Sequence, residues 1–338
     1  MKAGTWKYFQ CLWPSVFTLF GNLNGGLWSA SNAVFSLVFM VMIDFILPQN
    51  KSPQEPDEGP LPDVVLVLGF IFQMLCVGTL ISGIHTGELK DSAITWAAIS
   101  TGLNSGLLGI TSAHEMIHRK GYFFKTLGIL NLISCLYAHF YVEHRKGHHA
   151  RVATASDPAT ARMGESVYAF FLRSIPGQWR SALQIEMARL KRVGAAPLGW
   201  RNFVLITFYL QLILLGILYF AGGSDMLNAF VIQAAIGFLL LEYVNYIEHY
   251  GLVRKRGEKV QVHHAWQSSS ATSRFTLFEL SRHSHHHLDA KVKYHELHDL
   301  ESPFHLPYGY YGMFYIALIP PLWHRVMDHR LPKNMPQL

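Results

Sequence analysis

Long stretches without charged residues dominate this sequence and decide what the chain can fold into. Inside a bilayer every backbone N–H and C=O group must find a partner within the protein, which for single apolar segments means a helix. A helix needs roughly 20 apolar residues to cross the hydrocarbon core. Six stretches approach that length, over residues 8–26, 27–47, 64–84, 92–113, 203–221 and 226–247. The sequence therefore predicts an all-α integral membrane protein with about six transmembrane helices.

The composition supports a membrane protein and excludes several soluble classes. Half of the 338 residues are hydrophobic and 15% are charged, whereas soluble domains carry about 25% charge. The three cysteines (Cys11, Cys76 and Cys135) stand far apart in apolar stretches, so neither a disulfide framework nor an iron–sulfur motif is indicated. We expect residues 127–141 to be half-buried and 310–324 to lie at the membrane interface. Membrane lipid, and not nucleic acid, is the expected surrounding.

The positions of the basic residues predict the orientation of the chain. Residues 114–202 hold 13 Lys and Arg, and residues 249–338 hold 11; with Lys2, Lys7 and Lys51 these make 27 of the 28 basic residues. The positive-inside rule places that side in the cytoplasm. We therefore expect a multi-pass protein of a bacterial-type inner membrane with both termini inside. Residues 1–338 form one domain in this interpretation, with a transmembrane part over about 8–113 and 203–247 and cytoplasmic, His-rich parts over about 114–202 and 248–338.

Histidines recur in four blocks, each placed at or after the predicted cytoplasmic end of a span. In the first block, HEMIH, two histidines stand one helical turn apart. In the second, EHRKGHH, i and i+4 spacing predicts that His144 and His148 share a helix face, and with His149 all three could converge on one cation. A single histidine follows in NYIEHYGL, and RHSHHH closes the series. The ligand candidates are His114, His118, His144, His148, His149, His249, His283, His286 and His287.

So many imidazoles on one membrane face favour two metal ions, because one zinc ion takes about four ligands. An all-histidine set without thiolate favours redox iron over structural zinc, although spacing alone leaves Zn, Cu, Fe and Ni open. Two other classes also remain open. HEMIH alone is the motif of zinc peptidases, and a metal transporter would place acidic residues near the bilayer midplane, where these spans are nearly free of them.

In order and spacing, the four blocks resemble the histidine motifs of membrane-bound non-haem di-iron alkane monooxygenases. The related xylene and cymene methyl-monooxygenases share these motifs, and fatty acid desaturases are more distant relatives. The resemblance runs from about Trp6 to Asp328. It includes the loop residues 153–166, with Asp157-Pro158, and the tail around Tyr308–Phe314.

The resemblance implies a specific chemistry and specific partners. All nine histidines would bind two non-haem iron ions in a cytoplasmic di-iron centre, with O2 as co-substrate. The protein would hydroxylate a terminal or methyl C–H bond of a hydrophobic hydrocarbon, for example a medium-chain alkane to a primary alcohol. Electrons would come from a rubredoxin or ferredoxin-type protein with an NAD(P)H-dependent reductase. Ligating histidines usually donate their second N–H to an acceptor, and the candidates near the ligands are Glu115, Glu143, Glu248, Asp157 and His285.

The sequence leaves the substrate open. His285 stands where alkane monooxygenases usually carry Asp, and Arg274 lies in a segment that differs from theirs, so an aromatic methyl group remains an alternative. Fatty acyl desaturation and intramembrane zinc proteolysis are further alternatives.

Overall fold

The computed structural model describes residues 4–51, 59–255, 257–302 and 304–332. These residues are helical, with two isolated bridges (Gln49 to Ser270, and Gln267 to His305) and no strand among them. In chain order the helices are α1 (Trp13–Asn24), α2 (Gly26–Ile46), α3 (Leu61–His85), α4 (Ser92–His118), α5 (Tyr122–Ser134), α6 (140–151), α7 (Val167–Arg192), α8 (Phe203–His249), α9 (Ala271–Thr276), α10 (His283–Leu288), α11 (Tyr310–Leu318) and α12 (Pro320–Met327).

Four of the described helices, α2, α3, α4 and α8, are long and apolar enough to cross a membrane. Their outward faces expose large apolar side chains, among them Phe39 on α2, Ile71 on α3, and Ile213 and Phe220 on α8. Contiguous apolar surface of this kind marks contact with lipid or a partner. The all-helical membrane class predicted from the sequence is confirmed.

Helix α8 is two helices joined at a sharp break. Gly222 has φ −149° and ψ 17°, and Gly223 has φ +66°. The second value lies in the left-handed region, which glycine adopts without a Cβ penalty. Leu218 before the break and Met226 after it belong to one apolar cluster, together with Val77 of α3. The turn between the fifth and sixth predicted spans is therefore found where the sequence places it.

The first predicted span differs from the prediction. Residues Thr5–Leu12 form a 3₁₀ helix, and the α-helix that follows has only 12 residues. The change occurs at Pro14, which stands in the first turn of α1, where its missing N–H is tolerated. Gly25, with φ +64°, then ends the helix. The α-helix alone is shorter than the roughly 20 residues that crossing requires, and only together with the 3₁₀ helix before it does the helical stretch reach 20 residues, over 5–24.

Buried amides and hydroxyls connect the membrane helices. The side chain of Asn104 donates to Gln73, which donates to Ser105 at 2.8 Å, and Ser105 in turn donates to Gln233 at 2.7 Å. All four side chains are fully buried. Such interhelical hydrogen bonds hold helices together where the surrounding lipid provides no hydrophobic drive. Helices α3, α4 and α8 are thereby fixed relative to one another, with the carboxyl ends of α4 and α8 close together.

Shorter helices pack around the long ones, and some of them cover the carboxyl ends of α4 and α8. Helix α5 buries Leu132 and exposes Leu130, as expected for the half-buried segment. The predicted interfacial segment is two short helices, α11 and α12, separated at Ile319, and Pro320 begins the second. Helices α6 and α10 carry the remaining histidines beneath the ends of α4 and α8.

Candidate metal centre

Two groups of four buried or half-buried histidines lie side by side at the ends of α4 and α8. The first histidine group is His114, His118, His144 and His286, and the second is His148, His249, His283 and His287. Within each group one nitrogen from every ring lies within 4.8 Å of the others. The structure thus brings together all the histidines that the sequence singles out, because His149 lies between the groups. Their roles as ligands remain a prediction.

The contacts in the second histidine group fit a shared cation better than hydrogen bonds. The Nε2 atom of His283 lies 2.9 Å from Nε2 of His287 and 3.1 Å from Nε2 of His249. Nε2 of His148 lies 3.2 Å from that of His287. A neutral imidazole has one donor and one acceptor nitrogen, so a ring of Nε2 atoms cannot be satisfied by mutual hydrogen bonds. Ligand nitrogens about 2.0–2.1 Å from one metal ion stand roughly 3 Å apart.

Helix α6 divides its histidines between the two groups, which corrects one prediction. His144 and His148 were expected to point from one face toward one cation, but they belong to different groups. Residues Glu143–His148 form a π-helix, in which hydrogen bonds join residues five apart. His144 therefore aligns with His149, and their Nε2 atoms lie 3.1 Å apart. The wider turn rotates His148 into the second histidine group.

His149 adds a fifth nitrogen to the first histidine group. Its Nε2 atom lies 3.1 Å from Nε2 of His144 and 3.1 Å from Nε2 of His286. Its ring centre is also 4.7 Å from that of His287 in the second group. The arrangement therefore offers five nitrogens on one side and four on the other.

Protonation and unmet hydrogen bonds both suit metal binding. Burial, reinforced by neighbouring imidazoles, lowers the pKa of five histidines on α6 and α10 well below 6.5. They are His144, His149, His283, His286 and His287. Neutral imidazole is the form that binds metal. On α4, the Nε2 atoms of His114 and His118 are buried and have no hydrogen-bond partner among the described residues. A bound cation would satisfy both.

Asp157 fixes the orientation of one ring. Its Oδ2 atom accepts the Nδ1–H of His148 at 2.9 Å and the hydroxyl of Thr160 at 2.7 Å. Burial alone would raise the pKa of Asp157, but the imidazole and these hydrogen bonds bring it below its usual value. The carboxylate therefore holds His148 in the tautomer that directs Nε2 toward the group, as outer carboxylates of metal sites do.

The other proposed outer residues behave differently from Asp157. The carboxylate of Glu115 pairs with Arg119 at 2.8 Å, and that of Glu143 accepts from Arg151 at 2.6 Å. His285 turns toward His298, whose backbone N–H it accepts at 2.9 Å. These contacts stabilise the segments that carry the ligands. Glu248 alone reaches a ligand nitrogen on its inner side.

An apolar cavity begins at the histidines and continues between the helices. On α4 its lining residues, Leu103, Leu107, Ile110 and His114, follow helical spacing along one face, and on α8 they run from Leu240 to Glu248. His144 and His283 close the end that carries the two groups. A hydrophobic molecule in this cavity would point one end at the histidines.

The hydroxyl groups along the cavity wall are already engaged. The hydroxyl of Ser36 donates to the side-chain oxygen of Asn32 at 2.7 Å. That of Thr111 donates to the carbonyl of Leu107 at 2.5 Å. The Tyr311 hydroxyl pairs with that of Thr276 at 2.9 Å. The described lining residues include no Lys or Arg. The wall therefore offers no cation for an acidic headgroup and suits a molecule without polar groups.

Comparison with known proteins agrees with this geometry. A family model described as fatty acid desaturase matches residues 92–318. Alkane 1-monooxygenase 1 of Alcanivorax borkumensis is 41% identical over 69% of this chain, and the alignment spans 59% of that relative. Alkane 1-monooxygenase 1 of Pseudomonas aeruginosa is 34% identical over 88% of this chain and 82% of the relative. The chain belongs to the fatty acid desaturase family. The resemblance to alkane monooxygenases predicted from the motifs is confirmed.

A xylene/toluene monooxygenase hydroxylase component of Pseudomonas putida is also similar to this family member, at 26% identity over 94% of the chain and 86% of the relative. The lower identity places the aromatic alternative second. For this desaturase-family chain the peptidase interpretation of HEMIH loses its support, since His114 and His118 share a group with histidines from α6 and α10.

The sequence did not indicate Tyr310 or Thr160, which hold Glu248 and Asp157. Tyr310 lies far along the chain from the carboxylate that it contacts, and Thr160 lies across a turn from its own. Apart from the family-like tail around Tyr310, the sequence carries no signal for either contact.

Proposed function

We propose that the protein is an O2-dependent di-iron monooxygenase that converts a medium-chain alkane to the primary alcohol. The observation that supports it most is the pairing of two histidine groups with an apolar cavity that ends at them. Relatives named as alkane 1-monooxygenases point the same way. The reaction consumes the alkane, O2, two electrons and two protons, and yields the alcohol and water.

The nine histidines would hold two iron ions, five nitrogens at the first group and four at the second. When bound, the iron supplies the activation of O2 and the transfer of one oxygen atom to a C–H bond. The protein contributes the geometry. Asp157 keeps His148 oriented, and Arg151 holds Glu143 behind the π-helix. The three cysteines are buried elsewhere in the structure, consistent with a ligand set without thiolate and with iron instead of structural zinc.

The cavity would orient the substrate by shape. Apolar side chains of α4 and α8 exclude water and hold the chain along the helix axes. Because the wall hydroxyls donate to the protein itself, a fatty acid carboxylate would lose its hydration without gaining a partner. This favours an alkane over a fatty acyl substrate.

We further propose six transmembrane crossings, with both termini and all histidine blocks in the cytoplasm of a bacterial-type inner membrane, and a single hydroxylase domain over residues 1–338. The one-sided distribution of Lys and Arg supports the orientation. The two arms of α8 support two crossings within that helix.

Electrons would come from a separate acidic protein of the rubredoxin or ferredoxin type, itself reduced by an NAD(P)H-dependent enzyme. Two observations support this proposal. The sequence carries no motif for a redox cofactor of its own. The surface beside His149 also carries the exposed Lys146, and Lys120 follows closely after His118, so an acidic partner would be steered toward the half-buried edge of the first histidine group.

A competition experiment tests the function. Cells that express the chain with a matched electron-transfer pair are given octane and para-xylene together. Primary octanol in excess would support the proposal. Methylbenzyl alcohol alone would make the protein an aromatic methyl hydroxylase, and a new double bond in a fatty acyl chain without either alcohol would make it a desaturase.

A further inference from the structure

Glu248 is the carboxylate that faces the inside of the metal centre. Its side chain is 1% exposed, and its Oε2 atom lies 3.1 Å from Nε2 of His283. That nitrogen is the one that converges with Nε2 of His249 and of His287. Asp157, in contrast, contacts the outer Nδ1 nitrogen of its histidine. Glu248 therefore occupies the position of a ligand atom, whereas Asp157 occupies that of a support.

The position of Glu248 is fixed from the other side. Its Oε1 atom accepts the hydroxyl of Tyr310 at 2.6 Å. The Tyr310 backbone is itself held, because its carbonyl accepts the Tyr243 hydroxyl at 2.6 Å and its N–H donates to Ser273 at 2.7 Å. One carboxylate oxygen is thus engaged by the protein, and the other is left to the histidines.

Ligand number and charge both favour this role. The first group has four nitrogens within reach of one another, with His149 at 3.1 Å from two of them as a fifth, and the second group has four. Among the described residues that line the cavity, Glu248 is the only carboxylate. A buried carboxylate without a compensating charge is costly, and a divalent cation held by four neutral imidazoles would supply that charge.

We propose that Glu248 provides an oxygen ligand to the metal of the second histidine group, on the side that faces the cavity. This rests on the proposed di-metal function. It makes the two sites chemically different: one would have nitrogen ligands alone, and the other would have four nitrogens and one oxygen placed where the substrate approaches.

Cobalt binding tests the assignment without any turnover. The full-length protein, purified in detergent and stripped of metal with a chelator, is titrated with Co²⁺ alone. We expect two Co²⁺ per chain in the wild type. In Glu248→Gln the amide has the size of the carboxylate and its oxygen can still accept from Tyr310. The amide is neutral, however, and therefore a weaker metal ligand. One Co²⁺ should then bind about 100-fold more weakly or worse. That equals or exceeds the largest loss of metal affinity usual when a residue behind a ligand is replaced. Its visible bands should also intensify and shift to the red, as loss of a ligand requires.

Glu242→Gln is the matched control. This carboxylate lies six residues earlier on α8, is fully buried, and accepts from Tyr137 at 2.9 Å and from Ser174 at 2.7 Å. Its replacement should leave both Co²⁺ ions and their spectra unchanged. If Glu248→Gln does not fold, Glu248→Asp is measured in the same way, and a spectral change at one of the two ions is expected.

Wild-type affinity and spectrum in the folded Glu248 variant would overturn the assignment, as would binding of a single Co²⁺ by the wild type. The outcome for the proposed function is separate. A protein that fails to oxidise octane, yet shows the cobalt change, would end the proposed reaction and leave the ligand assignment standing.

Discussion

The length of the cavity predicts which alkanes the enzyme accepts. From Leu103 to His114 the lining face of α4 spans 11 residues, or about 16 Å at 1.5 Å per residue, and from Leu240 to Glu248 that of α8 spans about 12 Å. A fully extended chain advances about 3.6 Å per three bonds, so roughly 10 to 13 carbon–carbon bonds fit. We expect the turnover of n-alkanes to fall sharply beyond this length.

Leu103 marks the end of the cavity away from the histidines, so Leu103→Ala should lengthen it by roughly two to three carbons. A methylene in an apolar pocket contributes about 1–3 kcal/mol to discrimination. The ratio of kcat/KM for pentadecane to that for dodecane should therefore rise at least about tenfold. The assay is product analysis by gas chromatography with both alkanes present at limiting concentration. The variant should also lose about 2–5 kcal/mol of stability in the absence of alkane.

Leu108→Ala is the control. Leu108 is fully buried on the same helix but packs in a separate cluster with Tyr8, Val65 and Leu66. It should cost comparable stability and leave the ratio unchanged. An unaltered ratio in Leu103→Ala, or an equal change in both variants, would refute the placement of the substrate along α4.

Four further outcomes follow from the site. Protein made with iron available should contain about two irons per chain and little zinc. His249→Ala should lower bound iron and abolish activity, as His148→Ala should; wild-type turnover in the His249→Ala protein would remove His249 from the site. With the electron donor limiting, turnover should fall as salt rises, because screening shortens to about 8 Å at physiological ionic strength; salt-independent rates would contradict charge steering. Metal-free protein should lose thermal stability as pH falls below 6.5. Histidines held neutral by burial, such as His144 and His286, bind protons in the unfolded state before they do so in the folded state. Each therefore lowers the free energy of unfolding by about 1.4 kcal/mol per pH unit. A melting temperature that stays constant between pH 7 and pH 5 would contradict this prediction.

Helical periodicity predicted a large part of this molecule. Long apolar stretches indicated the membrane helices, and the gap between the stretches 203–221 and 226–247 indicated the break within α8. Histidine spacing indicated the ligand candidates, and His114 and His118 do share a group as one turn of α-helix requires. These features depend on neighbours in the sequence, where spacing carries the information.

Features that depend on tertiary contacts could not be obtained in this way. His144 and His148 separate because residues 143–148 form a π-helix, and the spacing alone could not distinguish that turn from an α-helical one. Nor could the sequence show that Asp157 faces an outer nitrogen and Glu248 an inner one, since both are acidic residues close to histidines. That difference is set by how α8 and the loop after α6 pack.

The engaged hydroxyls of the cavity wall also bear on what happens after the reaction. An alcohol carries a hydroxyl group that the alkane lacked. As it moves away from the histidines it passes Ser36 and Thr111, whose hydroxyls already donate within the protein. Those two hydroxyls can accept from the alcohol but have no hydrogen left to donate to its oxygen, and a buried acceptor without a donor costs about 1–3 kcal/mol, whereas the membrane surface offers water and headgroups. The wall that accepts the substrate would therefore expel the product, and release after a single oxidation would be favoured over a second one.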